Sequence, residues 1–328
     1  MLNNYFQRVQ ALFNPERFQG WGRTRAYFEG WYFKLVDAEK KHPIAIIPGI
    51  AFDQEGQGHA FIQVLDGKNK SSSYHRFSHA AFKPAKNSFQ ISIDKNSFSG
   101  HHLSVNLEDC SGTLQFANNL TWPKSFYSPG IMGPFGFVPF MECYHGIVSM
   151  DHEIKGQITL ANNERVDYAG GRGYIEKDWG RSFPSAYIWL QCNHFSQSGT
   201  SLKCSIAKIP WLRSSFIGFI AGFYYNNKLL RFTTYNQSNL QRCFADLNIV
   251  EIILQNPDYI LEITIKRDQP TALASPILGL MDGRIEETMN GVVSLRLKHR
   301  KNGKVLLEEE GHAAGLEVAG RIEDIIKI

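Results

Sequence analysis

Tyr174-Ile175-Glu176-Lys177-Asp178-Trp179-Gly180-Arg181-Ser182-Phe183-Pro184 leads into Ala186-Tyr187-Ile188-Trp189-Leu190-Gln191-Cys192-Asn193-His194-Phe195. The first half reads as a strand that ends at a Gly and Pro turn, and the second as another strand. Side chains two apart on a strand share a face. Glu176 and Asp178 are therefore expected side by side, and Tyr187, Trp189, Gln191, Asn193 and Phe195 are expected to line one surface. Two close carboxylates resist ionising together, which favours a proton on one of them. The alternative is that they form salt bridges with Lys177, Arg181 or Arg172 at a strand end. The second surface combines indole, phenol and amide groups, suited to stacking on a flat ring and hydrogen-bonding to it.

Outward from this stretch the strand rhythm persists in both directions. Short apolar segments at Ile44 to Ile47, His59 to Leu65, Ser88 to Ile93, Leu103 to Leu107, Gly112 to Phe116, Gly146 to Met150, Glu153 to Leu160 and Glu164 to Ala169 are bounded by turn residues. Beyond Phe195, Tyr225-Asn226-Asn227-Lys228 and Lys301-Asn302-Gly303-Lys304 read as hairpin turns, and Asp246 to Leu254 and Asp258 to Ile265 as a strand pair. No βαβ alternation is visible. The expected fold is all-β, with two tandem lipocalin-like antiparallel β-barrels or half-barrels divided into residues 1–182 and 183–328. A short amphipathic N-terminal helix is expected from Leu2, Phe6, Val9, Leu12 and Phe13, closed by Asn14-Pro15. Its apolar side is expected to pack on the body, with membrane-surface docking as the alternative.

Between Ala26 and Val36 the period-two pattern places Glu29 on one face with Trp31, Phe33 and Leu35. A carboxyl in such company either keeps its proton or pairs with a cation such as Arg23 or Arg25. Ser128 to Met141 joins Phe135, Phe137, Phe140 and other apolar residues to repeated Pro and Gly, and reads as a lid over an apolar pocket or as a plug between domains. Glu142 and His145 follow it, but Glu-x-x-His outside a helix is a poor metal signal. His75, His79, His101 and His102 lack ligand spacing, so no metal site is expected. Gly170-Gly171-Arg172-Gly173 lacks the spacing of a nucleotide loop.

The formal net charge of +4 is small and its basic residues are scattered, which argues against nucleic-acid binding but is compatible with weak attraction to an anionic membrane. Five cysteines without paired spacing indicate neither a disulfide framework nor a zinc site. Met1 to Gly20 shows no basic segment followed by an apolar core, so the expectation is a cytoplasmic protein, with peripheral contact at the inner face of the membrane left open.

Tyr27-Phe28-Glu29-Gly30-Trp31-Tyr32-Phe33-Lys34, Tyr174 to Gly180 with Phe183-Pro184, and Trp189-Leu190-Gln191-Cys192-Asn193 resemble the signatures of the tocopherol cyclase family. Lesser similarities lie at Thr271 to Pro276, Asp282-Gly283 and Gly315 to Gly320. The resemblance implies two lipocalin-like halves related to the carotenoid hydratase type of fold. It also implies closure of a prenylated hydroquinone to a chromanol. That reaction is redox-neutral: an acid protonates an alkene and the phenol oxygen captures the tertiary cation, so its balance calls for no nucleotide, metal or flavin cofactor. Asp178 is the expected proton donor, with Glu29 or Glu176 completing the pair and His145 or His194 as further candidate bases. Trp31, Trp179, Tyr187 and Trp189 are candidates for stacking or cation stabilisation, Gln191 and Asn193 for holding hydroxyls, and Phe135 and Phe137 for the apolar tail. The expected partner is a hydrophobic isoprenoid or prenylquinol; a non-catalytic lipid carrier and an alkene hydratase are the competing readings.

Overall fold

A computed structural model describes residues 2–327. One helix, α1 (Leu2–Leu12), precedes an otherwise β chain. In the first unit the long strands are β1 (Tyr27–Val36), β2 (Ile44–Phe52), β3 (Gly58–Asp66) and β4 (Ser71–Ser78). Shorter ones follow: β5 (Phe82–Pro84), β6 (Gln90–Ile93), β7 (Asn96–Ser99), β8 (His102–Asn106) and β9 (Cys110–Ala117). The sheet is completed by β10 (Cys143–Leu160), β11 (Arg165–Asp167) and β12 (Arg172–Gly180). Its order is β4-β3-β2-β1-β12-β10-β9-β8-β7-β6-β5, with β11 on β10. The strand of the opening motif, β12, thus lies between the Glu29 strand and the His145 strand.

The second unit contains β13 (Ala186–Cys192), β14 (Ser201–Trp211), β15 (Ser214–Tyr225), β16 (Lys228–Thr233), β17 (Asn239–Ala245), β18 (Ile249–Gln255) and β19 (Tyr259–Lys266). It ends with β20 (Thr271–Ile277), β21 (Leu280–His299) and β22 (Val305–Gly320). The order is β16-β15-β14-β13-β22-β21-β19-β18-β17, with β20 on β21. The chain divides between Phe183 and Pro184, and Leu273–Arg284 belongs to the first unit rather than the second. A linear reading of boundaries could not see that return.

Both sheets are antiparallel and lipocalin-like, but neither closes. Among the described residues the terminal strands β4 and β5 of one sheet, and β16 and β17 of the other, are not paired with each other. Of the barrels or half-barrels expected, the open form is the one present: periodicity specifies strands, whereas closure depends on whether the first and last meet.

Each unit has its own core. Trp31, Phe33 and Leu35 of β1 join Ile46, Phe98, Leu114 and Ile175 in the first, and Ile188, Leu190, Leu202, Ile252 and Leu295 meet in the second. Tyr187, Trp189 and Gln191 occupy the other face of β13, as alternation requires. Phe195, expected with them, falls in the core instead, because β13 ends at Cys192 and the alternation is interrupted. The glycine cluster at the start of β12 serves packing: a Cβ on Gly171 would stand 2.2 Å from the Val36 carbonyl, and one on Gly173 the same distance from the His152 ring.

The helix α1 meets the body through buried Ala11 and half-buried Leu12 and Phe13, while Phe6 and Val9 are exposed. Packing therefore uses only part of the apolar stripe. In the Pro and Gly-rich segment, Gly133–Phe137 forms a 3-10 turn; Ile131, Met132 and Met141 are buried, and Phe126, Tyr127, Phe137 and Phe140 are exposed.

Candidate functional site

The strand β12 presents its residues alternately to two faces, and the pairing with β1 is continuous from Phe28↔Gly180 to Val36↔Arg172. Lys177 lies opposite Trp31 and Trp179 opposite Glu29. Those four share the core face. Tyr174, Glu176 and Asp178 are on the other, with Tyr32 opposite Glu176 and Gly30 opposite Asp178.

On the core face, Lys177 Nζ is 2.6 Å from Glu29 Oε1, and both side chains are completely buried. Glu29 also accepts from Tyr27 Oη at 2.5 Å and from the backbone N–H groups of Gln19 at 2.9 Å and Gly20 at 2.9 Å. Lys177 donates to the Pro15 carbonyl at 3.0 Å and to that of Arg17, and stands 4.9 Å from the Trp31 ring centre and 4.4 Å from that of Trp179. Burial pushes the Glu29 carboxyl up, opposed by Lys177, Tyr27 and the Gln19 amide; burial also pushes the Lys177 ammonium down, opposed by Glu29. With its oxygens so fully engaged, Glu29 pins the segment from Pro15 to Gly20 onto the sheet. Its partner is Lys177, not Arg23 or Arg25, and the sheet separates it from Glu176 and Asp178. Trp31 belongs to the same packed layer: its Nε1 donates to the Glu16 carbonyl at 3.0 Å and its ring stacks on Phe89 at 5.7 Å. Trp179 stacks on Tyr144 at 5.5 Å. The two indoles expected to wall the acid are behind it.

The other face carries a different cluster. The first residues of β10 run beside β12, with His145 opposite Asp178. His145 Nδ1 is 2.8 Å from Asp178 Oδ1, and His145 Nε2 is 3.6 Å from Glu176 Oε2. Tyr174 donates its hydroxyl to Glu176 Oε2. Met132, from the apolar segment, accepts from the His145 backbone N–H through its sulfur at 3.1 Å and so ties that segment to the cluster. Glu176 is nearly enclosed, with 5% of its side chain exposed, whereas Asp178 retains 22% and is the more accessible carboxyl. Two of the three basic neighbours expected to neutralise the pair are engaged elsewhere: Lys177 on Glu29, and Arg172 on Asp151, to which its Nε donates at 2.9 Å.

Beside Asp178 stands Gly30, paired with Gly49; a Cβ on Gly30 would fit at ordinary contact distance, 3.7 Å from Ile47 and 3.8 Å from the Phe61 ring and the Pro48 carbonyl. Over Gly49 lies the Phe61 ring, which a Cβ there would meet at 2.4 Å. Phe61 packs with Ala51, Met281, Ile47, Tyr74 and Ala274. Two paired glycines thus let a buried apolar cluster pack close to the Asp178 position within the first unit. Motif reading missed Gly49, Phe61 and Tyr74, although Gly30 lay within a quoted motif.

Among the described residues, His145, Glu176 and Asp178 are also the one group whose potential metal-ligand atoms converge, all within 4.8 Å of one another. Glu142, the first half of the dismissed Glu-x-x-His, is not in it. A histidine with two carboxylates suits a hard or borderline divalent ion, and equally suits a chain of proton carriers.

Of the remaining candidates, Phe135 is half-buried, and Phe137 is at the surface, edge-on to Phe13 at 5.8 Å. Tyr187, Trp189, Gln191, Asn193 and His194 lie in the second unit and are all buried. There Tyr187 donates to Glu317 at 2.7 Å, and Lys203 Nζ stands 5.2 Å from the Trp189 ring centre and donates to Ser205 Oγ. Glu287, Glu317 and Lys203 are buried members of this unit that the sequence reading did not single out.

Residues 76–320 match the family described as tocopherol cyclase-like. The chain belongs to that family. A protein of Oryza sativa subsp. japonica described as a probable chloroplastic tocopherol cyclase is 27% identical over 172 residues, which are 48% of this chain and 36% of the rice protein. The match thus spans little more than a third of that relative. Kievitone hydratase from Nectria haematococca superposes with a TM-score of 0.52 at 10% identity, over 91% of this chain and 90% of the hydratase. The structure of CghA with Sch210972 gives 0.55 at 8% identity, over 90% and 89% of the two chains. At such identities the structural likeness concerns the fold. Within the tocopherol cyclase-like family, the matched region of this chain includes β10 and β12, hence all three members of the His145 cluster.

Proposed function

We propose that this protein is a cofactor-independent, acid-catalysed cyclase that closes a prenylated hydroquinone, or a similar isoprenoid, to a chromanol. The observation that carries the reading is the His145–Asp178 contact beside the buried Glu176 carboxyl, next to paired glycines and an apolar cluster. The pair holds one transferable proton. Asp178, the accessible end, delivers it to the less substituted carbon of the trisubstituted alkene, leaving a tertiary cation. The phenol oxygen adds to that cation, forming the C–O bond. The phenolic proton then passes to the deprotonated Asp178–His145 pair, restoring it, so no electrons or co-reactants are consumed. Glu176, held by Tyr174, faces His145 Nε2 at 3.6 Å and so fixes the imidazole from the side opposite Asp178. The alkyl tail would lie toward Phe61 and Met281.

The test is turnover in detergent micelles of a methylated hydroquinone bearing a polyprenyl tail, run in D2O. Cyclisation is expected to give an isomeric chromanol carrying one carbon-bound deuterium, and Asp178→Asn to remove it. A product heavier by one water would replace the cyclase with a hydratase. Unchanged substrate co-purifying with the protein would make it a carrier.

A further inference from the structure

The exposed aromatic side chains of the first unit are concentrated in two segments. Phe6 and Val9 of α1 are 63% and 43% exposed; Phe126, Tyr127, Phe137 and Phe140 of the apolar segment are 72%, 79%, 38% and 53% exposed. The two segments are joined through Phe13, which stacks on Phe126 at 5.8 Å and meets Phe137 at the same distance. Phe126 in turn packs edge-on to Tyr127 at 5.3 Å. Phe13, Phe126, Tyr127 and Phe137 thus form one contiguous apolar surface, with Phe6, Val9 and Phe140 exposed on the same two segments, and such surfaces on globular proteins mark contact sites. Proline and glycine hold the side chains out, as in the 3-10 turn Gly133–Phe137 with Pro134 at its start.

Charge identifies what covers it. Residues 1–26 and 121–141 contain five basic residues, Arg8, Arg17, Arg23, Arg25 and Lys124, against one acid, Glu16; this excess of four equals the formal net charge of the entire chain. The rest of the chain, which begins again at Glu142, sums to zero, so the excess lies in the stretches of sequence that carry the exposed aromatics. The lone acid is itself neutralised by Lys124 at 2.6 Å. Arg8 lies on the helix between Phe6 and Val9, and its Nε donates to the Trp21 carbonyl at 2.6 Å. Aromatic and aliphatic side chains projecting from segments of net positive charge match the boundary between headgroups and acyl chains of an anionic bilayer. Among the described residues no helix is long and apolar enough to cross a membrane, and a shallow surface contact does not need one.

We propose that α1 and the Phe126–Phe140 segment form a docking surface for an anionic lipid bilayer. Docking stands independently of the cyclisation chemistry, and its test does not involve turnover. The intact protein is floated with vesicles of phosphatidylcholine alone and of phosphatidylcholine with one-third phosphatidylglycerol, at low salt and at 0.5 M salt. Binding is expected to the anionic vesicles and to weaken with salt. Phe126→Ser combined with Phe140→Ser should lower the partition coefficient about tenfold or more. Arg8→Glu should lower it at least about fivefold. Leu212→Ser with Leu247→Ser, which removes exposed apolar groups of the second unit, should leave it unchanged. All variants alter exposed side chains, and matching far-ultraviolet circular dichroism and melting curves confirm that they fold. Equal binding by the Phe126/Phe140 variant, or no binding to either vesicle, overturns the proposal. So does a dimer in light scattering that the same variant converts to monomer, since the surface would then serve a second copy of the chain.

Discussion

Lys177 and Asp178 are consecutive residues of one strand, and they stand in opposite kinds of environment. Lys177 and Glu29 form a closed unit in which neighbouring carbonyls, amides and Tyr27 satisfy the buried charges. Asp178 and His145 form an open one: a carboxyl 22% exposed, an imidazole bridging toward a second carboxylate, and Gly30 alongside. The strongest ion pair in a protein is therefore a poor guide to its chemistry. A saturated charge is committed to holding the fold, whereas a partly satisfied one stays open to a further partner.

Substitutions on the two faces should separate activity from stability. Asp178→Asn, which keeps the shape but removes the acid, is expected to lower kcat by about 10²–10⁴-fold in the micellar assay while leaving the melting curve unchanged. Normal turnover in that variant would erase the distinction between the faces. Lys177→Met should do the reverse, leaving Glu29 charged and unpaired at a cost of about 3–5 kcal/mol in urea unfolding. If instead it unfolds like the parent, the pin is not what holds the Pro15–Gly20 segment.

A second histidine on β10 sharpens the comparison. His152 is completely buried against Phe116, and burial, aided by Arg172, depresses its pKa to about 3. The folded state thus favours neutral His152 while the unfolded chain takes up a proton near the ordinary value of 6.5. Stability is expected to fall as pH is lowered from about 6.5 toward 3, by up to about 1.4 kcal/mol per pH unit from this group. His152→Gln should flatten that slope; a parent protein equally stable at pH 4.5 and 7 would contradict it. Tyr174→Phe is the mildest probe, expected to lose one hydrogen bond to Glu176 and about 1.5–3 kcal/mol. Finally, prior dialysis against a chelator should not alter turnover if the His145 cluster works as a proton relay. Loss of activity restored by a divalent ion would reassign the three residues as metal ligands.

Much of this was legible in the chain. Alternation in Tyr174 to Trp179 put Glu176 and Asp178 on one face, and alternation in Ala26 to Val36 put Glu29 among Trp31, Phe33 and Leu35. What misled was treating the three carboxylates as one group. Period two tells which residues of a strand share a face, but not which face of one strand continues that of another; that depends on register. Trp31 opposite Lys177 placed Glu29 and both indoles on the far side. His145 had only an unconvincing local motif to recommend it, and its value came from the register of β10 on β12.

The order of residues by itself determined that this chain is all-β, where most of its strands and turns lie, and that it carries tocopherol cyclase-like signatures, because backbone alternation and turn preferences are local. Only the tertiary structure decided that the sheets stay open, that Leu273–Arg284 returns to the first unit, and that Glu29 is a pin while Asp178 keeps company with His145. Those outcomes depend on hydrogen-bond registers between strands far apart in sequence, and a shift of one residue would have reversed every face.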